Sequence, residues 1–328
     1  MSLGSSYHIG RSAAGAQPAR PLPPLRVAAP LGRLLLGAAL GHLLALCLTY
    51  VVFVRTYPGQ WLDGLLLPRA ERGGGYEQQT VLVGPARTVL ATFGSPTLLA
   101  ALLGAVLVVG LLCRRLLAGL VGVGMVLCAV LVAGAVKSAL ARPDLQIQSS
   151  STHNSFPSGH VAAATALLLA FMLVLPGWAR RWLAVPGAAG VSVIASATMV
   201  AGWHRFSDAL GGVLLAVALF CLAAAPLANR RGDAGRGGAN TTWRRLVEGA
   251  LALAVLLWAL LVVVPGLAAS VQGGLLVAIV AATGSTMLAV GAVVFLVRTA
   301  DFDVPTRLRH HKQPHPATDS RDGGAAWG

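Results

Sequence analysis

An all-α, polytopic membrane bundle of about eight transmembrane helices is the fold this sequence predicts, and three observations predict it. Hydrophobic residues make up 56% of the chain and charged residues only 11%, which leaves too few polar groups to clothe a water-soluble surface of this size. Apolar runs recur at lengths that can cross a hydrocarbon core of about 30 Å. Arginine-bearing loops alternate with loops of mixed charge, as the positive-inside rule requires of successive crossings. The formal net charge of +14 therefore reads as membrane orientation. No separate basic folded domain is present, so nucleic acid is excluded as a partner.

Residues 1–30 are rich in Gly, Ala, Pro, Ser and Arg without periodicity, and predict a disordered, basic cytoplasmic leader. The run 31–54 is too long for a signal-peptide core and lacks a small-x-small cleavage site, so it predicts the first span. His42 in its middle reads as a packing residue. A mixed outer loop follows over 55–96, with a short interfacial helix at 61–67 and a Gly-rich turn at 73–75. Further spans are predicted at 97–113, 116–141, 161–175, 183–203, 209–227, 246–264 and 273–297. The core 31–228 thus holds six helices, joined by a cytoplasmic linker, 229–245, to an additional hairpin, 246–298, suited to packing or oligomer contact. A disordered cytoplasmic tail, 299–328, completes the chain; its His310, His311 and His315 read as solvated side chains and not as a metal site.

Arg114 with Arg115, Arg180 with Arg181, the cluster Arg230, Arg231, Arg236, Arg244 and Arg245, and the tail all fall on the side of the leader if each run crosses once. Both termini are then cytoplasmic, and the loops 55–96, 142–160 and 203–208 share the outer face. The four cysteines, Cys47, Cys113, Cys128 and Cys221, lie in or at the ends of apolar runs without paired spacing and read as small lipid- or core-facing residues. Only two lysines, Lys137 and Lys312, stand against many arginines, with abundant Ala and Gly, as in proteins of GC-rich genomes; a bacterial plasma membrane is the expected location.

Three outer stretches carry nearly all the side chains capable of chemistry. The first, at the end of the third span, contains Lys137, Arg142, Pro143 and Asp144. A buried lysine there needs an anionic partner, and a phosphate would supply one. In the second, Pro157-Ser158-Gly159-His160 opens a long apolar run. Pro and Ser suit a helix N-terminus, whose free amides and positive dipole end favour an anion over Ser158 and Gly159, with His160 one turn inside. The third is Trp203-His204-Arg205-Phe206-Ser207-Asp208. A carboxylate four residues from His204 can fix the imidazole tautomer so that the other nitrogen presents a lone pair. Helix capping by Ser207 and Asp208 is the purely structural alternative. His153 and Asn154 read as solvated loop residues, with a place lining the same cleft as the alternative.

These stretches resemble the type-2 phosphatidic acid phosphatase superfamily, whose signatures run Lys-x6-Arg-Pro, Pro-Ser-Gly-His and Ser-Arg-x5-His-x3-Asp. The resemblance covers about 90–228. It implies that His204 is the nucleophile forming a phosphohistidine, that Asp208 orients it, and that His160 protonates the leaving alkoxide. Lys137, Ser158 and Gly159 would hold the phosphoryl oxygens, and no metal or cofactor is implied. The implied substrate is a lipid phosphate or diphosphate whose chain stays in the bilayer while its phosphate meets the site at the extracytoplasmic face. Two arginines of the pattern are displaced: Asp144-Leu145 stands where Arg-Pro belongs, and Ala197-Thr198 where Ser-Arg belongs. Losing one preorganised donor costs roughly a hundred- to a thousandfold in rate. The expectation is that Arg142 and Arg205 substitute from neighbouring positions, with Asp144 pairing one of them or touching a headgroup. Snorkelling of Arg205 to lipid headgroups is the alternative. A phosphotransferase, or a non-catalytic lipid-binding or scaffold descendant, stands beside the hydrolase reading.

Overall fold

The computed structural model describes residues 31–65, 82–147, 153–229 and 273–297, and among these every regular element is a helix. In order they are α1 (Leu31–Thr49, continued as a π-helical turn Tyr50–Val54), α2 (Tyr57–Leu65), α3 (Val83–Phe93), α4 (Pro96–Leu112), α5 (Leu116–Ala139), α6 (Gly159–Val174), α7 (Gly177–Val200), α8 (Phe206–Asn229) and α9 (Gly273–Val297).

Four helices among the described residues are long and apolar enough to cross a membrane: Leu31–Val54, Leu116–Ala139, Gly177–Val200 and Phe206–Ala228. A fifth crossing results if α3 and α4, bent by 56° at Gly94-Ser95, count as one span. The predicted count of eight is therefore not confirmed among the described residues. The α6 and α9 runs appear as shorter apolar helices, and the predicted span 246–264 lies outside the described residues, as do the leader and the tail.

The centre of the bundle is α6, whose residues from Val161 to Ala170 are all buried. A helix that is apolar on every side belongs inside, and α6 accordingly packs among α5, α7 and α8, with α1 laid along α8. The outward face of α1 carries Leu36, Leu40, Leu44 and Leu48, all exposed, as a lipid-facing surface requires. Of the four cysteines, Cys221 is buried and Cys47 and Cys128 are exposed on apolar faces, none in a disulfide. His42 spends its Nδ1 on the Ala38 carbonyl one turn back, at 2.7 Å, which fits a packing role.

Two sequence expectations need correction. The stretch 82–93 is helix, not loop; its Gly84, Pro85 and Arg87 hide a pattern that puts Ala86 and Leu90 inward. At the opposite end of the bundle from the motif-bearing stretches, Arg115 and Arg180, counted from the sequence as cytoplasmic loop charges, turn inward. Both are buried. Arg115 Nη1 and Arg180 Nε donate to the Leu175 carbonyl at 2.6 and 2.8 Å, and Arg180 Nη1 reaches the Val297 carbonyl at 3.1 Å. Carbonyls at a helix C-terminus have no intrahelical partner, and guanidinium donors answer that need for α6 and α9 together.

Candidate functional site

The three stretches converge where α5 ends and where α6 and α8 begin. Ser158 is the N-cap of α6, its Oγ accepting from Val161 N at 3.5 Å. Its own N–H donates to the Asp208 main-chain oxygen at 2.8 Å, so the second and third stretches are joined backbone to backbone. Two glycines make this approach possible. A Cβ on Gly212 would lie 2.7 Å from the Ser158 carbonyl, and one on Gly211 would enter the Phe156 ring.

Lys137 closes the triangle. Its Nζ stands 3.8 Å from the point where Gly159 would carry a Cβ, which places an ammonium beside the first amides of α6. The loop after α5 is held by Asn154, whose Nδ2 donates to the Leu140 carbonyl at 2.7 Å while its Oδ1 accepts from Phe156 N at 3.1 Å. Asn154 is thus a buried connector and not the solvated loop residue the sequence suggested; His153 is exposed as expected.

His204 and Asp208 meet as the spacing predicted, although His204 precedes α8 and is not part of it. The His204 main-chain N–H donates to the Thr198 carbonyl at 3.2 Å after a turn through Gly202, at φ 71°. Its Nδ1 lies 3.5 Å from Asp208 Oδ2, close enough for an ion pair and long for a hydrogen bond. The same Oδ2 accepts from Ser155 Oγ at 2.5 Å and from Arg205 N at 2.9 Å. Asp208 is therefore at the third helical position, reaching back to the N-cap amide as in a capping box; it caps α8 and faces His204 at once.

His160 lies within electrostatic reach of both His204 and Lys137. Its ring sits 5.7 Å, centroid to centroid, from Trp203, and its Nε2 would be 3.1 Å from a Cβ on Gly94. The α3–α4 corner thus forms one wall beside it.

The two arginines expected to substitute have different fates. Arg205 is 2% exposed, which rules out snorkelling; its Nη1 is 3.4 Å from Ser155 Oγ, inside the cluster. Arg142 is buried in the loop after α5, in a segment tied down at Leu140 and Pro143. Asp144 is exposed, and its carboxylate accepts from Gln146 N and Nε2 at 2.9 and 3.1 Å, an assignment that replaces the expected pairing with an arginine. Thr198, at the position of the displaced family arginine, is fully buried and turns its Oγ1 onto the Ala195 carbonyl at 2.7 Å.

Sequence reasoning missed Gln60 and Asp63 on α2, both 0% exposed. Asp63 Oδ1 accepts from Ser207 N at 3.1 Å, and Ser207 Oγ donates to Asp63 Oδ2. Burial and the charge of Asp208 push the Asp63 carboxyl up to about 6, against the bonds from Ser207 and the charge of Arg205. Gln60 Nε2 donates to the Val54 and Pro143 carbonyls at 2.8 and 3.1 Å.

The sequence matches no curated protein and no solved structure. Residues 117–231 match the model of the PAP2 superfamily, a stretch that holds α5 to α8 and all three motif-bearing segments. Members of that superfamily are generally phosphatases, which supports phosphoester hydrolysis at a coarse level. The match over residues 117–231 supports a member of the PAP2 superfamily.

Proposed function

We propose that this membrane protein is a metal-independent phosphohydrolase of a lipid phosphate or lipid diphosphate, acting at the extracytoplasmic face through a phosphohistidine. The single observation that carries the reading is the convergence of His160, His204, Asp208 and Lys137 around the amide-bearing start of α6.

With Asp208 beside Nδ1, the His204 Nε2 keeps its lone pair and attacks phosphorus while the bond to the leaving oxygen breaks. His160 delivers its proton to that alkoxide. Water then attacks the phosphohistidine, giving its proton back to His160 as the N–P bond breaks, and inorganic phosphate leaves. The two histidines work in opposite protonation states, and their different surroundings allow this: His204 faces a carboxylate and His160 a tryptophan and an ammonium. Lys137, the Ser158 cap and the Gly159 amide offer donors and positive charge to the equatorial oxygens, and on this reading Arg205 and Arg142 add to it. The outer location is supported by the sequence pattern alone, in which the positive-inside rule assigns the arginine-bearing loops to the opposite side.

One observation favours binding without turnover: Thr198 supplies no charge at the position of the displaced arginine. The deciding assay uses the purified protein with a panel of lipid phosphates in the presence of chelator. Phosphate release that resists chelator and disappears in His204→Ala supports the hydrolase. Unchanged release in that variant removes the nucleophile assignment.

A further inference from the structure

Helix α2 turns its polar residues inward. Gln60 and Asp63, three apart on one face, are fully buried, while Trp61 and Leu62 on the other face are exposed. An interfacial helix held only by its apolar contact with lipid would not need this. Each buried side chain instead grips a different catalytic stretch. Gln60 Nε2 holds the carbonyl of Pro143, the neighbour of Arg142. Asp63 holds Ser207, three residues beyond His204.

The grip on α8 has a cause in the sequence. The N-cap of α8 is Arg205, a donor-only side chain, so it cannot accept from the free amide of Ser207 as Ser, Thr or Asp would. Asp63, from 144 residues away, takes that place. The contact also frees Asp208 Oδ2 for Ser155, the Arg205 amide and the approach to His204.

We infer that α2 is a strap whose Gln60 and Asp63 are positioning residues, setting the spacing between the loop that carries Arg142 and the segment that carries His204. The inference rests on the phosphohydrolase reading, since that reading gives the spacing its purpose.

The test compares Asp63→Ala, Asp63→Asn, Gln60→Glu and the double variant Asp63→Ala/Gln60→Glu in full-length protein, each shown to be folded by its detergent melting curve. Asn can still accept from Ser207 N and donate to its hydroxyl; Glu at 60 turns a donor into an acceptor facing two carbonyls. Misplacement of a reacting group by about 1 Å can cost roughly a hundredfold, so a partial release is expected to lower kcat about tenfold in Asp63→Ala and in Gln60→Glu. KM stays within about twofold, and Asp63→Asn recovers most of the rate. The double variant falls little further than either single one, because a strap freed at one end no longer sets a distance. A second readout does not need turnover: the His204 ring signals in protein labelled with 15N-histidine shift in Asp63→Ala and return in Asp63→Asn. If folded Asp63→Ala keeps both kcat and the His204 signals of the parent, or if the two losses simply multiply, the strap is refuted. Should the parent itself release no phosphate, the hydrolase reading fails, and the histidine signals still decide the positioning.

Discussion

Replacing Asp208 by Asn tests the heart of the site with little change in shape. The amide oxygen can go on accepting from Arg205 N and Ser155 Oγ, so the cap of α8 survives and the carboxylate charge alone is lost. At the 3.5 Å separation from His204 Nδ1, that charge and a full imidazolium would attract by roughly 5 kcal/mol at an effective dielectric of about 20. If about half of the positive charge has reached the ring in the transition state, the loss is roughly 2.5 kcal/mol, or about 50- to 100-fold in kcat. The proposed mechanism starts from a His204 without the positive charge, so the ground state carries little of this interaction and KM is expected to move by less than about threefold. Phosphate release from a short-chain lipid phosphate in detergent, over a substrate series, gives both constants. A folded Asp208→Asn protein with kcat within about threefold of the parent would refute the claim that Asp208 acts on His204, and would leave it as a helix cap.

Further expectations follow from the same geometry. Lys137→Met removes the ammonium beside Gly159 while keeping the stem's bulk, and is expected to lower kcat/KM by about a hundredfold or more, read in the same assay. Gly212→Ala forces a methyl to within 2.7 Å of the Ser158 carbonyl and should lower stability by about 1–3 kcal/mol; Gly190→Ala, inside α7 with nothing within 4 Å, should raise stability slightly, by about 0.5–1 kcal/mol, in the same melting curves. Asp63 binds its proton more tightly folded, at about 6, than unfolded, at about 4. Its neutral form therefore favours folding, a contribution complete below pH of about 4 and lost as pH rises through about 6, worth up to roughly 3 kcal/mol. Melting curves at pH 4, 5, 6 and 7 should show this loss in the parent relative to Asp63→Asn; parallel curves would contradict it.

What could be read beforehand was whatever is local. Ser158, Gly159 and His160 are adjacent in sequence, and His204 and Asp208 are four apart, so their chemistry is visible without a fold. The long apolar runs of α1, α5 and α8 were equally plain, because a span is a property of composition. Asp63 was hidden by its 144-residue separation from Ser207 and by its place in a short helix read as lying at the membrane interface. One signal was available: Gln60 and Asp63 at a spacing of three, beside Trp61 and Leu62, form a polar face that a surface helix has no reason to conceal. Asn154 was misjudged for a related reason, since its three main-chain partners come from the end of α5 and from Phe156. Arg180 shows the limit of charge counting. Its position fits the expected side of the membrane, yet its guanidinium is spent on carbonyls and offers no charge to the solvent.

The seating of His160 has a consequence of its own. Trp203 lies along one side of the ring, the bend at Gly94 stops its Nε2 edge, and among the described residues no hydrogen bond anchors either nitrogen. An imidazole lodged by shape can gain or lose a proton without surrendering any attachment that keeps it in place. For a group asked to be an acid in one half of a cycle and a base in the other, a berth set by shape lets it return to the same spot after every turnover.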